Sequence, residues 1–293
     1  MPRLAESFFR RRRIVQDQTA SHTALATAYL RAAHQILDPE PLILKDSAAL
    51  VLLGPDAEKR IKENLDRYMS PQAKALRAHV VLRSRYAEDR LESSMARGVS
   101  QYILVGAGFD TFALRQPAWA ASLRIIEVDH PDTQRLKRTK ISQAGIPVPD
   151  NVVFAGIDFE QESFEEGLIR NGVRSDELTL FSWLGVTMYL TEPAIDATLK
   201  CMARYPTGSE AVVTFRQPPS AQSPAARRLA DRVSEAGEPF VSCFTPEKFE
   251  SKLLGSGFVK VEFLTQELSA RYFHGGENSL PNPQRISIAS AVV

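Results

Sequence analysis

Between Ile103 and Thr111 the chain reads ILVGAGFDT, an apolar run that ends on Gly106 and Gly108 and continues into Asp110 and Thr111. Two glycines one residue apart open backbone angles closed to other residues and let a ligand approach the main chain. After a strand this is the geometry of a nucleotide-type crevice; an ordinary tight turn is the plainer alternative. A ribose in such a crevice needs an acid at the end of the next strand, roughly 20 residues further on. Asp129, in IIEVD, lies 23 residues after Gly106 (129 minus 106). Glu127 shares its strand face, because side chains alternate along a strand; either acid could serve, and the terminal position favours Asp129. A dinucleotide calls for a third glycine and a helix N-terminus free to take a pyrophosphate. Thr111 holds the third position instead, and Asp110 sets a negative charge where phosphate would arrive. Both argue against a nicotinamide dinucleotide and suit a ligand with a cationic group, such as an amine or a sulfonium.

Such a turn needs a sheet beneath it. From residue 99 onward, VSQYILVG, LRIIEVD, NVVFAGID, ELTLFSWLG and SEAVVTF are short, buried-looking runs separated by helix-length segments. That alternation predicts a parallel sheet covered on both faces. GFVKVEFL and RISIASAVV add two strands around a polar excursion with glycine and proline, giving an α/β fold of seven strands with the last pair antiparallel. Residues 14–98 read as helices: TALATAYLRAAHQIL and PQAKALRAHVVLRSRYAEDRLESSMARG carry apolar positions at helical spacing. LDPEP and LLGPD mark breaks between them, and Gly98 is placed as a C-cap. The organisation expected is a helical N-terminal extension over residues 1–98 on a core over 99–293, one integrated domain, with 217–226 as a loop or lid edge.

Composition narrows the classes. The 293 residues are 44% hydrophobic and 24% charged, within the globular range. The net charge of +1 gives no global preference for nucleic acid, and the Arg10–Arg13 run lacks an aromatic platform or a basic amphipathic helix beside it. Cys201 and Cys243, far apart and without ligand spacing, support neither a disulfide framework nor a metal site. No apolar run approaches the length of a membrane span, and the N-terminus opens on charges, so a cytoplasmic protein is expected.

Taken together, these segments resemble the leucine carboxyl methyltransferase-like group of class I S-adenosylmethionine-dependent methyltransferases, including its bacterial small-molecule O-methyltransferase branch. GAGFDTFALR is similar to the group's glycine turn, EVDHPDTQRLK to its second-strand segment, GIDF to its third-strand acid and TLFSWLGVTMYL to its fourth-strand block. DQTASHTALATAYLRA and VLRSRYAED are similar to its N-terminal helices. The resemblance implies a Rossmann-like core with a helical lid, and S-adenosyl-L-methionine as the cofactor. It implies Gly106 and Gly108 beside the methionine part, with Asp110 at the same turn, Asp129 on the ribose, and Asp158 and Phe159 around the adenine. Arg83 would pair with the cofactor carboxylate, a task that suits a guanidinium fork, with Arg85 as the alternative register. The group usually has glutamate where this chain has Leu184; leucine can pack on the cofactor, and Ser182, Trp183 or Thr187 can compensate.

Other residues have plainer roles. Asp110 is also suited to capping the next helix. Arg115 can pair with a carboxylate or equally bind the ligand, Met188 and Tyr189 read as core, and His130 reads as structural. No residue stands out as a general base, which leans toward a carboxylate or acidic hydroxyl on a small-molecule acceptor. An NAD-dependent oxidoreductase and a non-catalytic S-adenosylmethionine-binding protein are the competing expectations.

Overall fold

The structure, a computed structural model, describes residues 22–158, 161–218, 240–276 and 279–293. Its centre is one seven-stranded sheet in the order β3-β2-β1-β4-β5-β7-β6. The strands are β1 (Gln101–Val105), β2 (Arg124–Asp129), β3 (Val152–Gly156), β4 (Thr179–Trp183), β5 (Glu210–Thr214), β6 (Lys260–Phe263) and β7 (Ile288–Val292). Each falls within a run read from the sequence. β1 to β5 are mutually parallel, β7 runs antiparallel between β5 and β6, and the order reverses at the β1/β4 boundary. In such a sheet that boundary, at the carboxyl ends of the strands, is where ligands sit.

Every residue of β1, β4 and β5 is buried, as a sheet covered on both faces requires. One apolar cluster, including Phe181, Trp183 and Phe249, gathers α7 (Phe164–Arg170), α8 (Glu192–Met202) and α9 (Pro246–Ser256) on one face. A second, including Val81, Leu82, Tyr102 and Phe112, lies under α5 (Pro71–Met95) on the other. A third joins α1 (His22–Leu37), α2 (Ala49–Leu53), α3 (Ala57–Glu63) and α6 (Pro131–Gln143) to Phe109 in the glycine turn. The alanines of α1 let it approach closely: Ala28, Ala32 and Ala33 are all buried.

α5 begins at a Ser70 cap, whose hydroxyl accepts from the Ala73 amide, with Pro71 in the first turn. It closes at Gly98 as expected: the glycine takes φ +97°, its amide donates to the Met95 carbonyl and the Val99 amide donates to the Ser94 carbonyl, the paired bonds of a glycine-terminated helix. α4 (Leu65–Met69) precedes α5, and α10 (Gln266–Ser269) lies in the excursion between β6 and β7. Among the described residues no helix is long and apolar enough to cross a membrane.

Candidate functional site

Gly106 and Gly108 follow β1 at φ +70° and +51°, conformations strained for other residues. The amides of Gly106 and Ala107 both donate to the Val128 carbonyl, tying the turn to the end of β2. Both glycines also lie against protein: a Cβ on Gly106 would stand 2.4 Å from Val186 Cγ2, and one on Gly108 3.1 Å from Ala24 Cβ of α1. They are demanded by backbone angle and by packing at once.

Asp129 closes β2 beside this turn. Its Oδ2 accepts from the Gly108 amide at 2.5 Å and its Oδ1 from the His130 amide at 2.7 Å. Burial raises its carboxyl above the ordinary value, against the pull of these two amides. Each oxygen keeps a further acceptor position. Glu127, the alternative acid, is not open to a ligand. It is 1% exposed, bound to the equally buried Lys137 Nζ at 2.5 Å, and burial pushes it up to about 7. His130 is structural, its ring accepting from the Asp132 amide at the start of α6.

Asp110 accepts from the Phe112 amide at 2.8 Å and so turns the chain into the short helical turn Phe112–Leu114. Burial alone would raise its carboxyl; Arg31, Lys137, the Phe112 amide and Arg115 together hold it below its usual value. Arg115 pairs with Glu88 of α5 and lies 3.5 Å from Asp46, which also accepts from Thr111 Oγ1 at 2.6 Å and faces Arg31 Nε at 3.4 Å. Arg31 donates to the Phe109 carbonyl. This network joins α1, the segment before α2 and α5 to the glycine turn. Arg31, Asp46 and Glu88 carried no signal in the sequence, because their partners lie 15–78 residues away.

The two candidate arginines differ in position. Arg85 is exposed and paired with Asp89 at 2.8 Å. Arg83 faces inward against Gly185, just past β4, and its guanidinium would lie 2.4 Å from a Cβ there. Gly185 (φ +78°) thus makes the space Arg83 occupies, a role its place after the fourth strand could have signalled. No carboxylate pairs with Arg83 among the described residues, and burial, with the charge of Arg31, pulls it down to about 10. A largely desolvated guanidinium without a direct ion-pair partner among the described residues, at the carboxyl edge of the sheet, fits an incoming carboxylate.

Asp158 lies just beyond β3, its Oδ2 accepting from Gln161 at 2.6 Å. Phe159 lies outside the described residues. Leu184, following β4, packs against the apolar cluster under α5. Ser182 is buried and bonded to Tyr102, and Thr187 donates to the Thr214 carbonyl at 2.7 Å, so neither turns a free hydroxyl toward the space a glutamate would serve. Tyr189 differs from the core reading: it is half-buried and stacked on Phe240, 5.6 Å between centroids, while Arg216 lies 4.0 Å over the Phe240 ring. A separate cavity of about 220 Å³ lies near the end of α1, lined in part by His34, Asp38 and Tyr272. Those polar groups are bonded within the protein, His34 to Asp38, Asp38 to Arg77 and Tyr272 to Asp89.

The family described as "Leucine carboxyl methyltransferase" matches residues 24–203. The chain is 30% identical over 304 aligned positions to "Putative S-adenosyl-L-methionine-dependent methyltransferase YktD" of Bacillus subtilis, covering 95% of this chain and 99% of that one. A protein of the same description from Parafrankia is 29% identical over 62% of this chain and 58% of its own. In three dimensions, a DUF574 family protein from Streptomyces avermitilis superposes with a TM-score of 0.57 at 16% identity, over 93% of this chain and 97% of that one, a likeness of fold.

Proposed function

The chain belongs to the leucine carboxyl methyltransferase family, and from that membership we propose an S-adenosyl-L-methionine-dependent O-methyltransferase acting on a carboxylate or hydroxyl of a small molecule. The observation that carries the reading is Arg83, a guanidinium without a carboxylate partner among the described residues, set at the strand ends with Asp129. Arg83 holds the cofactor carboxylate, and Asp129 takes the ribose hydroxyls while Gly108 and His130 fix its orientation. Gly106, Gly108 and Asp110 flank the methionine part, and Asp158 and Phe159 take the adenine. Leu184 contributes apolar contact only.

S-adenosylmethionine, when bound, supplies an activated methyl group, so the protein's task is alignment and exclusion of water. α1 serves the second purpose. Ala24 sits on Gly108, and α1 and α5 are tied to the turn through Asp46, Glu88, Arg31 and Arg115. We assign residues 1–98 to this covering role over a core of 99–293. Removing residues 1–20 then impairs turnover more than folding; unchanged turnover speaks against the assignment. The site as a whole is tested by thermal shift with S-adenosylhomocysteine and with NADH, followed by transfer of a labelled methyl group to a panel of acids and phenols. Stabilisation by S-adenosylhomocysteine alone supports the reading, and stabilisation by NADH alone refutes it. Binding without any transfer favours a non-catalytic cofactor-binding protein.

A further inference from the structure

α5 crosses the sheet in a direction that its contacts define. Arg90 bonds Glu210, the first residue of β5, at 2.5 Å. One turn earlier, Tyr86 reaches Ser290, which pairs with Val212 at the middle of β5. One turn earlier again, Arg83 lies against Gly185, just past the carboxyl end of β4. The same helix face therefore runs from the amino edge of the parallel strands to their carboxyl edge as residue numbers fall.

His79 is the next position on that face. It stands one turn beyond Arg83, about 6 Å along the axis at 1.5 Å per residue, past the strand ends. It is half-buried, and no hydrogen bond or ion pair to it is formed among the described residues. An imidazole with an open nitrogen at this height is placed for a ligand lying above the group that Arg83 holds.

We propose that His79 is the acceptor-side catalytic residue and that the methyl acceptor is a hydroxyl compound, a phenol or an enol-like alcohol, whose proton His79 removes. This rests on the cofactor site proposed above. The acceptor oxygen forms the new bond to the methyl carbon, the carbon–sulfur bond breaks with its electron pair left on sulfur, and the hydroxyl proton passes to His79 and then to water. Charge balances: the sulfonium is lost and an imidazolium is gained.

The surroundings favour a hydroxyl over a carboxylate. Burial, with the Arg83 charge, pulls the imidazole down to about 3, so it is uncharged at neutral pH and offers an acceptor lone pair but no attraction for an anion. A carboxylate on Arg83 offsets the second and smaller of these causes and so raises the imidazole from that value. Arg216, a cation at the end of β5, is turned onto the Phe240 ring.

The test uses the full chain with S-adenosylhomocysteine bound and its histidine rings labelled with nitrogen-15. The His79 resonance is identified by its loss in His79→Gln, with His79→Asn as a second variant. Phenol, catechol and 4-nitrophenol are the probes and benzoate the control. We expect the His79 ring to be uncharged at neutral pH and to shift with at least one phenol but not with benzoate. Both variants should keep the thermal shift with S-adenosylhomocysteine and lose methyl transfer to phenol or catechol by roughly 100-fold, the lower range for general-base catalysis. Transfer to 4-nitrophenol, already ionised in mildly alkaline buffer, should fall far less. A His79 ring moved by none of the phenols, transfer confined to benzoate, or an equal loss on every acceptor overturns the proposal. Failure of the wild-type protein to bind S-adenosylhomocysteine would instead remove the cofactor site on which it rests.

Discussion

Replacing Arg83 by methionine should have opposite effects on the empty and the liganded protein. The guanidinium is pulled from its ordinary value down to about 10 by burial and by Arg31, so it is cationic at neutral pH but disfavoured in the fold. At about 1.4 kcal/mol per pKa unit the shift corresponds to about 3 kcal/mol. Partial access to crevice water discounts this to about 1–2 kcal/mol. Because the folded value lies below the ordinary one, the cost is present throughout the range below about pH 10. Methionine keeps an apolar stem in the same groove and removes the charge. The empty variant should melt about 2–8 °C higher, at about 2–4 °C per kcal/mol for a chain of this size. Binding should move the other way. Truncating one side of a buried charge pair costs about 2–5 kcal/mol, a loss of at least about 30-fold in affinity for S-adenosylhomocysteine. In differential scanning calorimetry the wild type should gain about 2.7 kcal/mol at 100-fold saturation, and the variant at most about 0.9 kcal/mol at the same concentration. A variant that melts lower when empty yet keeps the full ligand shift would refute the reasoning, since Arg83 would then be a structural cation with no part in binding.

Other consequences are equally measurable. Gly106→Ala forces a Cβ to 2.4 Å from Val186 at φ +70° and should destabilise by about 2–4 kcal/mol in urea unfolding. Adding Val186→Ala should recover the steric part, and no recovery would show the clash to be irrelevant. Glu127 is held near 7 against an ordinary 4.5, so the unfolded chain releases a proton across that window which the fold retains. Stability should therefore fall as pH rises between about 5 and about 7, by on the order of 3 kcal/mol, and Glu127→Gln should flatten that slope in unfolding measured at both ends. Asp46→Ala strips acid from between Arg31 and Arg115 and should cost about 3–5 kcal/mol, read as a lower urea midpoint; a change within about 0.5 kcal/mol would mean the network is not coupled.

How much of this could be read in advance depended on range. Strand runs such as IIEVD and LTLFSW declare themselves through local apolar patterning, and all seven observed strands fall within runs read that way. The glycine turn and Asp129 also belong to one local grammar, strand, turn and next strand end, and Gly108 does meet Asp129. Pairings formed by folding were not legible. Glu127 stayed open as an alternative to Asp129 because its bond to Lys137 is formed by folding, and Arg85 stayed open beside Arg83 because only the fold sets one against Gly185 and the other against Asp89. His79 left no sequence signal because its meaning depends on where α5 crosses the sheet, which contacts at Glu210, Ser290 and Gly185 define. Tyr189 was read as core because an apolar block hides a half-buried residue that stacks on Phe240.

The most direct measurement is a crystal structure of the protein with S-adenosylhomocysteine. The expected result is ligand at the carboxyl edge of the sheet, its amino-acid carboxylate on the Arg83 guanidinium and its ribose hydroxyls on Asp129. Ligand lodged elsewhere, as in the cavity beside His34 and Tyr272, with Arg83 and Asp129 untouched, would contradict the account.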